Sequence, residues 1–144
     1  MKYTKQSEYV RPSAVGFILN QDKTEILLVQ RNVEPYKDMW MMSGGHMKVG
    51  ETIEECLVRE VKEETGLDVA TKELFTVHSD PEQDLRHAAL VLFYVVEIKG
   101  GSIEQWKVFE IKDRKWFKLE DVPKQMCFHH RRIFDKFVKE YLHK

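Results

Sequence analysis

The chain has 144 residues, 42% hydrophobic and 11% aromatic, which is enough for one compact domain with a proper core and too little for two. Its 23 basic and 24 acidic side chains give a net charge of −1, excluding the basic footprint of a duplex nucleic-acid binder while leaving room for a small anionic ligand met by local charge or a metal. The longest apolar run, Ala88 to Val96, is too short to span a bilayer, and Met1 to Val10 lacks the apolar core of a signal peptide, so the reading is a cytoplasmic protein with no membrane partner.

Residues 1–8 read as a loose polar tail ahead of one domain, 9–144. Ser13 to Asn20 and Glu25 to Arg31 are β-rich runs separated by Gln21-Asp22-Lys23-Thr24, which predicts a hairpin. Ile26-Leu27-Leu28-Val29 is continuously apolar, as in a central strand. A loop follows over Asn32 to Asp38, and Met39-Trp40-Met41-Met42 leads into a glycine loop at Ser43-Gly44-Gly45. The methionines read as packing residues and His46 as structural.

Thr52 followed three residues later by Glu55 is a capping-box pattern, so a helix starts near Ile53, and Gly66 suits the left-handed position that ends it. At about 100° per residue Ile53, Cys56, Leu57 and Val61 form one apolar stripe, and Glu60 and Glu64 fall inside it. A solvated face accounts for Glu54, Glu55 and Lys62 but not for carboxylates in an apolar stripe, where an unpaired charge costs several kcal/mol. Arg59 stands one helical turn from both Glu55 and Glu63 and supplies one positive charge. The remaining negative charge calls for a hard, oxygen-seeking cation, Mg²⁺ or in its place Mn²⁺.

Leu67 to His78 then predicts a strand, 79–87 a loop, Ala88 to Lys99 a buried strand and Gly100-Gly101 a turn. Cys56 and Cys127 have no metal or redox spacing and read as free thiols. Phe128, His129 and His130 read as structural or solvent-facing. Ile133, Phe134, Phe137, Val138, Tyr141 and Leu142 recur at helical spacing, giving a C-terminal helix that covers one sheet face while the first helix covers the other. The fold class is α/β, a three-layer α/β/α sandwich around a mixed sheet.

Gly45, five residues, Glu51, seven residues, Arg59-Glu60, an aliphatic, any residue, Glu63-Glu64, any residue, Gly66 and an aliphatic resembles the complete box of the Nudix hydrolases. Seven fixed residues at roughly 6–8% background frequency match by chance on the order of once in 10⁸ starting positions. The box spans 23 residues, and likeness in the flanks extends over nearly the whole chain. Trp40 is kept from the family pattern, whereas Ser43 stands where proline is common.

This resemblance implies the Nudix fold and metal-dependent hydrolysis of a phosphoanhydride in a nucleotide. It implies Glu60, Glu64 and the Gly44 carbonyl as metal ligands, with Glu63 at a second ion or acting as base. It further implies that Arg59 orients the carboxylates and pairs with Glu51. Glu110, six residues before Trp116, is the candidate outside the box, and whether Glu63, Glu64 or Glu110 takes the proton stays open. Arg31, at a strand end that faces substrate in the family, is a substrate contact by the same resemblance. Asp80-Pro81, Asp84 and Arg86 resemble the substrate segment of ADP-ribose-type members, although Gln83 stands where arginine is usual. ADP-ribose or another nucleotide sugar is therefore the first-choice substrate, with a nucleoside triphosphate as the alternative and a non-catalytic nucleotide sensor behind both. Homodimers are common among members of the ADP-ribose type.

Overall fold

Two sheets share the middle layer, each built from strands distant in sequence. The computed structural model describes residues 9–84, 86, 88–103 and 108–143; the tail expected at 1–8 lies outside them. The elements run β1 Arg11–Phe17, β2 Glu25–Arg31, β3 Trp40–Met41, β4 Gly44–His46, α1 Ile53–Thr65, β5 Leu67–His78, β6 Ala89–Gly101, β7 Ile111–Lys118 and α2 His130–Phe137. A 3₁₀ turn at Leu119–Asp121 precedes α2, and a π-helical turn at Val138–Leu142 continues it.

The mixed sheet has the order β4-β1-β6-β5, with β1 parallel to β6 and the other pairs antiparallel. The second sheet, β3-β2-β7, is antiparallel and has the continuously apolar β2 at its centre, as its sequence required. The expected hairpin between the first two strands forms only at its tip, where Leu19 pairs with Ile26 and the Leu27 N–H donates to Ile18 O at 2.9 Å. Beyond that tip β1 and β2 part into different sheets.

Strand alternation distributes side chains between two cores. Val15, Phe17, Ile26 and Leu28 meet Phe134 and Phe137 of α2, whereas Ala14, Ile18 and Leu27 meet Leu57 and Val61 of α1. The strands thus lie between two helical layers, the three-layer α/β/α arrangement. Phe137 stacks on Phe17 with ring centroids 3.9 Å apart, and Phe75 packs edge-on against Phe17 at 5.5 Å. Full burial of a ring, as at Phe17 and Phe137, is worth about 1.5–3 kcal/mol, and half-buried Phe75 gains less.

Helix α1 is bounded as its sequence predicts. Thr52 accepts from the Glu55 N–H at 3.0 Å while Glu55 accepts from the Thr52 N–H at 2.8 Å, and Gly66 closes the helix at φ 84°. Gly100-Gly101 does not turn the chain: the two residues are the last of β6, paired with Asp68 and Leu67. Gly101 adopts φ 84°, and a Cβ there would strike the Gly66 carbonyl, so glycine lets the strand end approach the helix cap. The expected glycine loop is likewise a strand, β4, antiparallel to β1. No helix among the described residues is long and apolar enough to cross a membrane.

Candidate active site

Helix α1 rests against β1, β4 and β5, so its apolar stripe faces the mixed sheet and carries Glu60 and Glu64 with it. Glu64 is 5% exposed. Its Oε1 accepts two hydrogen bonds, from Ser43 Oγ just before β4 at 2.7 Å and from the N–H of Gly44, the first residue of β4, at 3.0 Å. Burial pushes the Glu64 carboxyl up to about 8, helped by the neighbouring Glu60 carboxylate, and burial also raises Glu60. β4 comes this close because its first two residues are glycines. A Cβ on Gly45 would collide with the Glu60 carboxylate, and one on Gly44 with the Ala14 carbonyl of β1.

Arg59 ties the carboxylates together. It reaches Glu51 at 2.7 and 3.0 Å, Glu60 at 2.9 Å, Glu63 at 3.2 Å and the His46 carbonyl at 3.0 Å. The guanidinium holds Glu51 down to about 2 and is itself driven further into its protonated form, chiefly by Glu51. Glu55, the other glutamate one turn away, is engaged in the helix cap instead.

Glu60 and Glu64 line a pocket of about 390 Å³ together with Gly44, Gly45 and Glu110. Arg11, Arg31, Lys48 and Arg86 also line it, so cationic side chains share the pocket with the carboxylates. Arg31 donates from Nε to Pro35 O at 2.6 Å, and Arg86 is held by Asp84 at 2.8 and 3.0 Å. Both guanidinium carbons stand 5.5 Å from the centroid of the Phe128 ring, which meets Tyr36 edge-on at 4.9 Å. Phe128 occupies the left-handed region at φ 55°, an uncommon conformation for an aromatic residue. Glu110 is exposed, and the turn that carries it is tied down where the Asn32 N–H donates to its carbonyl at 2.8 Å.

The structure thus gathers Gly44, Glu60, Glu64, Glu110, Arg31 and Arg86 around one cavity. Arg59 and Glu63 stand behind it as supports, and the Glu63 side chain is 45% exposed. Three contributors were passed over in the sequence. Ser43, which replaces the usual proline, supplies a hydroxyl donor to Glu64; Phe128 backs both arginines; buried His130 accepts the Met42 N–H at 3.0 Å and lines the same pocket. Periodicity marks none of these, because each depends on where a distant strand places its partner. Cys56 and Cys127 are buried free thiols, as expected.

The donor set suits a hard divalent ion. Buried Glu64 and half-buried Glu60 have their ionisation opposed by desolvation and by neighbouring carboxylates, which a cation would relieve, and oxygen donors select Mg²⁺ or Mn²⁺ over softer metals.

A family model described as NUDIX domain matches residues 10–137. An ADP-ribose pyrophosphatase of Methanocaldococcus jannaschii is 35% identical over 135 residues, covering 93% of this chain and 75% of the relative. An NAD-capped RNA hydrolase NudC of Vibrio atlanticus is 29% identical over 112 residues, covering 78% of this chain and 39% of that protein. Among solved structures, a NUDIX hydrolase from Nitrosomonas europaea superposes with a TM-score of 0.80 at 18% identity, over 96% of this chain and 75% of that one. An ADP-ribose pyrophosphatase from Streptococcus suis gives 0.71 at 22% identity, over 92% and 95%. At these identities the structural likenesses speak for the fold.

Proposed function

From the premise that this chain belongs to the Nudix family and is a Nudix hydrolase, we propose that it hydrolyses the pyrophosphate bond of a nucleoside diphosphate joined to a second group, with ADP-ribose as the first-choice substrate. The observation that carries this reading is that buried Glu64 and half-buried Glu60 line the same cavity as Arg31 and Arg86. Carboxylates alone would repel a diphosphate, and arginines alone would bind it without activating water. The relatives point the same way, an ADP-ribose pyrophosphatase and an NAD-capped RNA hydrolase, since ADP-ribose and the NAD cap both contain an adenosine diphosphate linked onward.

In this reading Glu60, Glu64 and the Gly44 carbonyl hold Mg²⁺, or Mn²⁺ in its place, with Glu63 at the margin. When bound, the ion supplies charge neutralisation on the diphosphate and a more acidic water. Arg59 keeps Glu60 and Glu63 in place through its bonds to both, and Glu51 orients Arg59 in turn. Arg31 and Arg86 grip the anionic substrate from the Phe128 side. Glu110 is our choice of general base: it lines the cavity and is exposed, whereas Glu63 is engaged by Arg59 and Glu64 Oε1 already accepts two hydrogen bonds.

A hydrolysis panel with Mg²⁺ or Mn²⁺ tests the proposal, comparing ADP-ribose, other nucleotide sugars, NAD, dinucleoside polyphosphates and nucleoside triphosphates. ADP-ribose should turn over fastest. Preference for triphosphates would remove Arg86 from the substrate role. Nucleotide binding without turnover of any compound would reassign the chain as a sensor.

A further inference from the structure

A second group of metal-ligating side chains lies outside the cavity just described. His78 ends β5, Asp80 follows two residues later, and His129 immediately precedes α2. All three are half-buried, and one ligand atom from each lies within 4.8 Å of the others. None lines the pocket that holds Glu60 and Glu64.

We propose that His78, Asp80 and His129 form a separate site for a borderline transition-metal ion of the Zn²⁺ class. Two imidazole nitrogens and one carboxylate oxygen, with water completing the shell, is a ligand set that Zn²⁺ takes and Mg²⁺ does not prefer. His78 Nε2 and His129 Nδ1 face each other at 2.8 Å, so in the metal-free protein one ring donates to the other. Binding an ion at Zn–N distances of about 2.0–2.1 Å would take the place of the shared proton, which passes through solvent to the far nitrogen of the donating ring, and would move the facing nitrogens apart to roughly 3.3 Å, a shift of about half an ångström.

The surroundings prepare the ligands. Burial and neighbouring positive charge, Arg132 for both rings, disfavour the protonated form of both imidazoles. Asp80 stays ionised because its Oδ1 accepts the Glu82 N–H at 2.9 Å. Arg132 faces Asp80 Oδ2 at 3.5 Å, and Lys136 adds positive charge near His78. These two cations oppose a dication and make its binding exchangeable.

An ion held here joins three segments at once. β5 ends at His78; the segment of Asp80 leads to Asp84 and Arg86; His129 is bonded in sequence to Phe128. Gln83 already links these parts by donating to His78 O at 3.2 Å and Ala89 O at 3.4 Å. The ion would fix the arginine and the aromatic ring that meet at the pocket wall.

The test is a Co²⁺ titration of the full untagged chain with Mg²⁺ saturating, read by visible absorption. The site predicts one equivalent of exchangeable Co²⁺ with the intense bands of a nitrogen-ligated, low-coordinate ion, displaced by Zn²⁺. His78→Gln and His129→Gln should each weaken Co²⁺ binding by more than the roughly 10–100-fold that loss of an outer-shell partner costs. Glu64→Gln should leave the bands intact, which separates this site from the carboxylate ledge whatever the latter binds. Absent bands, bands that survive both histidine changes, or bands lost in Glu64→Gln would each overturn the proposal. The wild-type chain provides a check independent of any variant: Zn²⁺ should shift the ring resonances of His78 and His129, and unmoved resonances reject the site.

Discussion

In the proposed reaction Glu64 concentrates the chemistry of the site in one side chain. Glutamine has the same shape and keeps an acceptor for Ser43 Oγ and the Gly44 N–H, so Glu64→Gln should retain the fold while losing turnover by roughly 100-fold or more. Steady-state rates at saturating Mg²⁺ beside a thermal melt check both halves, and near-normal activity would refute the ligand set. Arg86→Ala should raise KM for ADP-ribose by about 10–100-fold, on the scale of a charge-assisted hydrogen bond of about 1.5–3 kcal/mol, and change kcat less. An unchanged KM would reduce Arg86 to the partner of Asp84. Glu60 and Glu64 were legible from sequence because a helix fixes the direction of every side chain by arithmetic. Phe128 was not, since its position in the left-handed region and its two arginine neighbours arise from tertiary contact alone.

At the scale of elements, the site depends on how closely β4 approaches α1. The two glycines of β4 predict different failures. Gly45→Ala places a methyl against the Glu60 carboxylate, a side-chain end that can swing aside, so stability should hold while metal affinity and activity fall. Gly44→Ala drives a methyl into the backbone of Ala14 and Val15, which cannot yield without spoiling the β1–β4 pairing. That change should cost about 1–3 kcal/mol, measurable as a lower denaturant midpoint. Element boundaries were readable where signals are local, as in the Thr52–Glu55 cap and the Gly66 stop. They were misread where glycine serves a distant neighbour: Gly101 looked like a turn because nothing local shows that it packs on the Gly66 carbonyl.

For the whole molecule, buried Glu64 and its half-buried neighbour Glu60 set how stability varies with pH. The metal-free folded protein retains a proton on Glu64 up to about 8, whereas the unfolded chain releases it near the ordinary value of 4.5. The unfolded state therefore binds fewer protons across this window, and the contribution falls as pH rises through it. Buried His130, lowered to about 3, acts in the opposite sense, and its contribution is lost as pH falls below 6.5. Between pH 6.5 and 8 the carboxylates dominate, so metal-free stability should drop by about 1–2 kcal/mol. Calorimetry at several pH values should find that drop abolished by Mg²⁺ and much reduced in Glu64→Gln. A flat metal-free profile would contradict the raised carboxyl. The layers and helices of the fold followed from sequence periodicity. The division of the strands into two sheets did not, because the parting of β1 from β2 beyond Leu19 and Ile26 is decided by strands made later.

The parallel pairing of β1 with β6 also orders events during synthesis. Register partners Arg11 and Ala89 lie far apart along the chain, and β6 takes its place between β1 and β5, both of which leave the ribosome earlier. A nascent chain that has just completed α1 already carries its glutamates but lacks the strand that joins the two sides of their sheet. The carboxylates therefore wait in water, and their shifted acidity arises only when β6 inserts and the later segments close over them.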